Sequence, residues 1–200
     1  MSAPKPHREI EIKLRLRGAA QGRRLLQRAG FQVLRPRVFE ANLVLDGPEG
    51  PLRESGSLLR VRQAGQRSLL TFKGPSTTGR HKSREELEIE VSDARITAQI
   101  LDRLGFQPVF RYQKYRTEFS QPDQPGAVIL DETPIGVFLE LEGPPDWIDQ
   151  TAARFGFSES DYITASYARL YVDFCRARRR RPRHMLFPNR RRPASDIFAF

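Results

Sequence analysis

The residues able to do chemistry in this chain come in pairs two apart. Three stretches carry an acid, a spacer and an acid: Glu9/Glu11, Glu88/Glu90 and Glu140/Glu142. Two carry the basic counterpart, Arg60/Arg62 and Lys114/Arg116, and Lys13, Lys73 and Arg84 add cations in similar surroundings. In a β-strand, residues i and i+2 point to the same side. A strand face seeking only solubility mixes its signs, because like charges two apart repel. Here the signs are sorted by strand and the sorting recurs along the chain. A charged interior inside a closed barrel accounts for this better than a solvated outer surface. Carboxylates gathered there are suited to hard divalent cations. Arginines and lysines are suited to phosphate oxygens, arginine in bidentate fashion.

The elements that must hold these residues are legible as alternation. Glu9 to Arg17 reads EIEIKLRLR, with one apolar and one charged face. Similar runs recur at Leu58–Arg62, Leu69–Lys73, Glu86–Val91, Phe110–Phe119, Ala127–Glu132 and Val137–Glu142, with a less regular one over Val38–Leu45. Turn-like links such as Thr133–Gly136 predict antiparallel pairing. Three helices lead into Gly30-Phe31, Gly105-Phe106 and Gly156-Phe157, each with glycine where a helix ends left-handed and an apolar residue that folds back on the last turn. A fourth presents Tyr167, Leu170, Tyr171 and Phe174 on one face. The strands are polar on one face, so the helices pack around a barrel rather than forming crossovers of a parallel sheet. The predicted class is α+β: an eight-stranded antiparallel β-barrel with flanking helices.

Other chemistries find no support. There is no GxxxxGK[ST] loop for phosphate and no HExxH. His7, His81 and His184 lie far apart and are read as surface residues. The single cysteine, Cys175, excludes an internal disulfide and is read as packing. No apolar run approaches the roughly 20 residues that span a bilayer. The polar start, Met1 to Arg8, has no signal-peptide pattern. A cytoplasmic protein with no membrane contact is expected; nothing in the sequence indicates its oligomeric state.

The net charge of +10 is unevenly placed. From Arg176 onward there are nine arginines and one acid, so the first 175 residues carry only +2. The expected division is a folded domain over 1–175 and a poorly ordered arginine-rich tail over 176–200, able to bind polyanions non-specifically. Within that tail Met185, Leu186 and Phe187 form an apolar patch with the means to dock on the barrel.

From Glu9-Ile10-Glu11-Ile12-Lys13 onward the ordered series resembles the CYTH superfamily, the triphosphate tunnel metalloenzymes. The series continues through Arg60-Val61-Arg62, Phe72-Lys73-Gly74, Arg84 to Glu90, Lys114-Tyr115-Arg116, Leu130-Asp131-Glu132, Leu139 to Gly143, and Asp161 to Thr164 with Ser166-Tyr167, covering about Arg8 to Phe174. The resemblance implies a triphosphate tunnel holding Mg2+ or Mn2+, in a family that includes class IV adenylate cyclases, thiamine triphosphatases and inorganic triphosphatases. It implies metal ligands at Glu9, Glu11, Glu140 and Glu142, supported by Glu88, Glu90 and Asp131. It implies triphosphate contacts at Lys13, Arg60, Arg62, Lys73, Arg84, Lys114 and Arg116, with Glu9, Glu11, Lys13 and Lys114 nearest the chemistry. Asn42 to Asp46 matches the usual second strand more loosely. The expected activity is phosphohydrolysis of a small-molecule triphosphate. Formation of cyclic AMP and pyrophosphate from ATP is the alternative, and a non-catalytic polyphosphate binder the reading from another class.

Overall fold

The computed structural model describes residues 7–77, 79–188 and Phe198. Eight strands close into an antiparallel barrel: β1 (His7–Leu16), β2 (Gln32–Asp46), β3 (Leu58–Ala64), β4 (Arg67–Lys73), β5 (Lys82–Val91), β6 (Gln107–Ser120), β7 (Ala127–Thr133) and β8 (Gly136–Glu142), in the order β1-β5-β4-β3-β2-β6-β7-β8. The helices are α1 (Ala19–Arg28), a single turn α2 (Pro51–Glu54), α3 (Ala94–Arg103), α4 (Pro145–Arg154) and α5 (Tyr167–Ala177).

The alternation divides the barrel into a polar inside and an apolar outside. Ile12, Leu14 and Leu16 of β1, Val128 and Leu130 of β7, and Leu139 and Leu141 of β8 are buried beneath α1 and α4, with Trp147, Ile148 and Phe155. A second cluster packs Phe39, Ala41, Leu43, Leu45 and Val61 against Ala94 and Ala98 of α3. The hydrophobic core therefore lies between barrel wall and helices, leaving the lumen to the charged alternates.

The three helix ends behave as their sequences require. Gly30, Gly105 and Gly156 adopt φ of 77°, 93° and 82°. The next residue, Phe31, Phe106 or Phe157, donates its amide to the carbonyl of Leu26, Leu101 or Ala152 at 2.9, 2.9 and 3.0 Å. Trp147 anchors α4, as expected, and seats its ring over Gly126, where an added Cβ would lie 2.3 Å from ring carbons.

Three expectations need correction. The second strand is longer than Val38–Leu45, running from Gln32 to Asp46 along β6 with irregularities of register that obscure its alternation. The stretch from Arg176 on is expected to be poorly ordered, but Arg176 and Ala177 close α5 and the described part beyond them docks. Met185 accepts from the Gln113 amide at 3.0 Å and donates to the Arg111 carbonyl at 2.9 Å, and its side chain is fully buried beside Tyr112, Phe138 and Tyr167. The apolar patch outweighs the arginines around it, whose heads stay exposed. The remaining arginines of the tail, Arg190 to Arg192, lie outside the described residues. His81 is not a free surface residue either: its Nε2 lies 2.9 Å from Asp149, which also accepts from the Tyr162 hydroxyl at 3.0 Å. Cys175 is buried, as read.

Replacing Met185 by alanine should destabilise the fold by about 2 kcal/mol, since it empties a closed apolar site. Urea unfolding checks this; an unchanged midpoint would show the docked segment contributes nothing.

Candidate functional site

The lumen is a cavity of about 2030 Å³. Its wall is built by the alternates that face away from the core. From β1 come Glu9, Glu11 and Lys13; from β3, Arg60 and Arg62; from β4, Lys73; from β5, Lys82, Arg84, Glu86 and Glu88; from β6, Lys114 and Arg116; from β8, Glu140 and Glu142. Strand register decides which of these meet. Glu11 lies opposite Glu142 and Lys13 opposite Glu140, which draws the acids of β1 and β8 together. Glu9 lies opposite Arg84 and Glu11 opposite Lys82.

The side chains form a lattice of ion pairs. The Lys73 ammonium donates to both Glu9 oxygens at 2.7 and 2.6 Å, and the Arg84 Nε approaches Glu9 at 3.3 Å. The Lys82 Nζ donates to Glu11 at 2.7 Å. Lys13 sits between Glu11 at 3.2 Å and Glu140 at 3.3 Å. Asp131 accepts from Lys114 at 2.8 Å, from Arg116 through both oxygens at 2.9 and 2.8 Å, and from the Tyr167 hydroxyl at 2.9 Å. Arg116 also grips Glu140.

Thirteen of the site residues expected from sequence reach this lumen or its wall, and the structure sorts them. Glu9, Glu11, Glu140 and Glu142 gather on β1 and β8. Asp131 is completely buried behind them, committed to Lys114 and Arg116. Glu88 stands apart, accepting from the Thr71 hydroxyl at 2.8 Å and from Arg60 at 3.4 Å. Glu90 is the fourteenth: it lies exposed, held by Arg67 at 3.1 Å, away from the other acids.

Several participants escaped the sequence reading. Glu40 is buried, 3.4 Å from Arg62 and 3.6 Å from Lys114, and Asn42 accepts from the Arg62 Nε at 2.8 Å. Their i, i+2 spacing with Val38 and Val44 was the available signal, masked by the irregular ends of the strand. Lys82 and Glu86 also went unassigned, although each stands two residues from a like charge, Arg84 and Glu88. Tyr167 reads as part of an apolar helix face, and Tyr112, at the end of the Arg60 side chain, carries no signal of its own in the sequence.

The charges respond to this packing. Burial pushes the Lys13 ammonium down, but Glu11 and Glu140 beside it hold it above its ordinary value. Burial raises the Glu11 carboxyl, and Lys13 and Lys82 overcome this to hold it well below the carboxylate range. Glu140 is likewise held low, by Lys13 and Arg116 against burial. Glu9 ends below its ordinary value, with Lys73 and Arg84 outweighing burial and Glu11. Glu40, with Arg62 and Lys114 set against burial, is lowered to about 2. Glu142 departs from the rest: burial and the neighbouring Glu9 raise it to about 7. Tyr112 is lowered to about 8, because Arg60 and Arg62 outweigh burial.

A divalent ion suits this donor set. The acids offer only carboxylate oxygens, the ligands that Mg2+ and Mn2+ prefer. Most are already matched by a cation, and among the described residues no three acids converge closely enough, as they stand, to encage an ion. Glu142 makes no ion pair among the described residues, and burial with the neighbouring Glu9 outweighs the more distant Arg116 and Lys73 to keep its carboxyl high.

Comparison with known proteins agrees with this architecture. The CYTH domain family profile matches residues 7–167. A candidate adenylate cyclase of Methanocaldococcus jannaschii, MJ0240, is 31% identical over 134 residues, 67% of this chain and 75% of that protein. The solved structure of a candidate adenylate cyclase from Vibrio parahaemolyticus superposes with a TM-score of 0.71 at 19% identity, over 83% of this chain and 98% of that one. A protein from Hippeastrum, described as a candidate adenylyl cyclase with a dominant triphosphatase activity, superposes with a TM-score of 0.63 at 20% identity, over 82% and 95% of the two chains. Among the described residues no helix is long and apolar enough to cross a membrane.

The carboxyls set a pH dependence for the metal-free protein. Glu142 has a folded value near 7 against an ordinary 4.5. Its contribution is complete below 4.5 and is lost as pH rises through 7. Glu9, Glu11 and Glu140 are depressed, so theirs is present above 4.5 and is lost as pH falls through their lowered values. Melting in EDTA should therefore show the midpoint rising from about pH 8 to about pH 5 and falling in stronger acid. Glu142→Gln should flatten the rise.

Proposed function

This chain belongs to the CYTH family, and on that premise we propose that it is a divalent-metal-dependent enzyme that hydrolyses a triphosphate. The observation that carries the proposal is the sorting of charge inside the lumen. A triphosphate needs cations along its length, and Arg60, Arg62, Lys73, Arg84, Lys114 and Arg116 line the wall on β3 to β6. A pure anion binder has no use for the acids of β1 and β8. Glu9, Glu11, Glu140 and Glu142 are the residues that would hold Mg2+ or Mn2+. The bound ion supplies charge neutralisation and polarisation of phosphoryl oxygens.

The remaining work falls to the chain itself. The cations of β3 to β6 bind the phosphate oxygens and hold the phosphoanhydride chain in line with an incoming nucleophile. Lys13 is fixed between Glu11 and Glu140, and Lys114 between Asp131 and Glu40, which makes both of them rigid positive charges in the lumen. There they stabilise charge developing on the transferred phosphoryl group.

Water reaches an open lumen without further apparatus, whereas cyclisation requires the ribose folded against the α-phosphate. Hydrolysis is therefore placed first. The dominant triphosphatase activity described for the Hippeastrum protein supports this order. The name of the M. jannaschii relative supports cyclic AMP formation as the second reading.

Incubation with ATP, thiamine triphosphate and tripolyphosphate, with Mg2+ or Mn2+, should release orthophosphate as the main product, and excess EDTA should abolish turnover. Cyclic AMP plus pyrophosphate from ATP, with tripolyphosphate untouched, would reverse the order. Full activity in EDTA would remove the metal from the proposal. Glu11→Gln and Glu142→Gln should each lose most turnover. Arg84→Ala leaves Glu9 still paired with Lys73, and should weaken tripolyphosphate binding about tenfold by calorimetry. Unchanged affinity would show that Arg84 faces solvent when ligand is bound.

A further inference from the structure

The C-terminal segment reaches the tunnel. Strand β7 pairs with β6 only from Tyr115 to Phe119, which leaves the earlier part of that β6 edge without a strand partner. The chain returning from α5 fills the gap. Met185 bridges Tyr112 in parallel, and the Phe187 amide donates to the Gln113 side chain at 3.0 Å. Anchored there, Arg183 lines the cavity, as does Tyr171 of α5. Both lie beyond the residues matched by the family profile, which end at 167. The Vibrio structure is covered almost to its full length while 83% of this chain is used.

What these residues border is aromatic. Phe110 stacks on Tyr112 at 5.8 Å with their planes 20° apart, and tilts against Tyr171 at 6.0 Å. The Tyr112 hydroxyl accepts from Arg60 at 3.2 Å. A line of rings thus runs from a phosphate-facing cation in the lumen to the rim at Tyr171 and Arg183, with Leu52 of α2 also on the cavity wall.

An inorganic phosphate chain gains nothing from such a wall. A flat ring joined to a triphosphate gains stacking area from the aromatics and a guanidinium able to lie over its face. We propose that Tyr171 and Arg183, together with Phe110, form a subsite for an aromatic ring group carried on the triphosphate. The C-terminal segment would then make this enzyme selective for organic over inorganic triphosphates. The proposal rests on the triphosphate reading above and names the substrate class for the same site.

Calorimetric binding by the full-length chain tests it, using tripolyphosphate, ATP and thiamine triphosphate with Ca2+ in place of the activating metal to slow turnover. Tyr171→Ala and Arg183→Ala should each weaken at least one ring-bearing ligand about tenfold, while tripolyphosphate stays within about twofold. Arg183 is exposed, so its variant tests the idea even if Tyr171→Ala fails to fold. Equal losses for all three ligands, or no loss for any, would overturn the subsite. Wild-type protein that binds tripolyphosphate but neither ring-bearing ligand would overturn it alone and leave the triphosphate reading standing. Wild-type protein that binds none of the three would overturn both.

Discussion

Everything in this molecule depends on burying charge inside a barrel while leaving little of it uncompensated. Lys13 and Lys114 are each 2% exposed, and Asp131 is not exposed at all. An isolated ion so placed would lose its charge or unfold the protein. The barrel avoids this by register. Antiparallel pairing of β1 with β5 sets Glu9 and Glu11 against Arg84 and Lys82, and pairing with β8 sets Lys13 against Glu140. Sliding either pairing by one residue would turn the charges into the core and the core into the lumen. The ion pairs therefore specify which closed sheet forms more than they stabilise it, since a buried pair roughly offsets its own desolvation.

Stability comes from the opposite side of the same strands. Because the alternates that leave the lumen are Ile12, Leu14, Leu130, Leu139 and Leu141, the barrel carries its apolar surface outward, and α1 and α4 must cover it. The close approach of Trp147 to Gly126 and the fold-back of Phe31 and Phe157 hold those helices to the wall. A wall supported from outside can keep its interior wet and polar. A barrel this small would otherwise fill with side chains of its own.

This division explains what the sequence disclosed. Period-two alternation reports strand and face together, so the eight strands, the α+β class and most lumen residues were legible from residue types alone. Helix ends were legible because a left-handed glycine followed by phenylalanine has one geometric use. Partners were not. That Glu9 meets Lys73, or that Glu40 faces Arg62, follows from the path of the whole sheet, which no local pattern encodes. Glu40 and Asn42 were missed because β2 shifts register against β6 at both ends. Glu90 shares the spacing of Glu9/Glu11 but lies exposed at Arg67, beyond Glu86, the last residue of β5 that pairs with a described residue of β1. The docking of Met185 depends on a gap at the β6 edge that exists only once β7 has paired.

A lumen whose charges already satisfy one another also constrains how it can be used. On the proposed function, a triphosphate entering the tunnel competes with Glu9 for Lys73 and Arg84, and with Glu140 for Arg116. Each cation drawn to phosphate leaves a buried carboxylate without its partner. Such a carboxylate must take up a proton or another cation. Glu142, whose carboxyl burial and Glu9 already hold high, stands beside Glu11 in the same acidic cluster. Substrate and divalent ion would then favour each other's binding without any change of fold, because each relieves an imbalance the other creates. On that reading the coupling would arise from the pairing that lets the empty barrel fold: acids and bases that neutralise each other at rest would separate only as anion and metal replaced the missing partners.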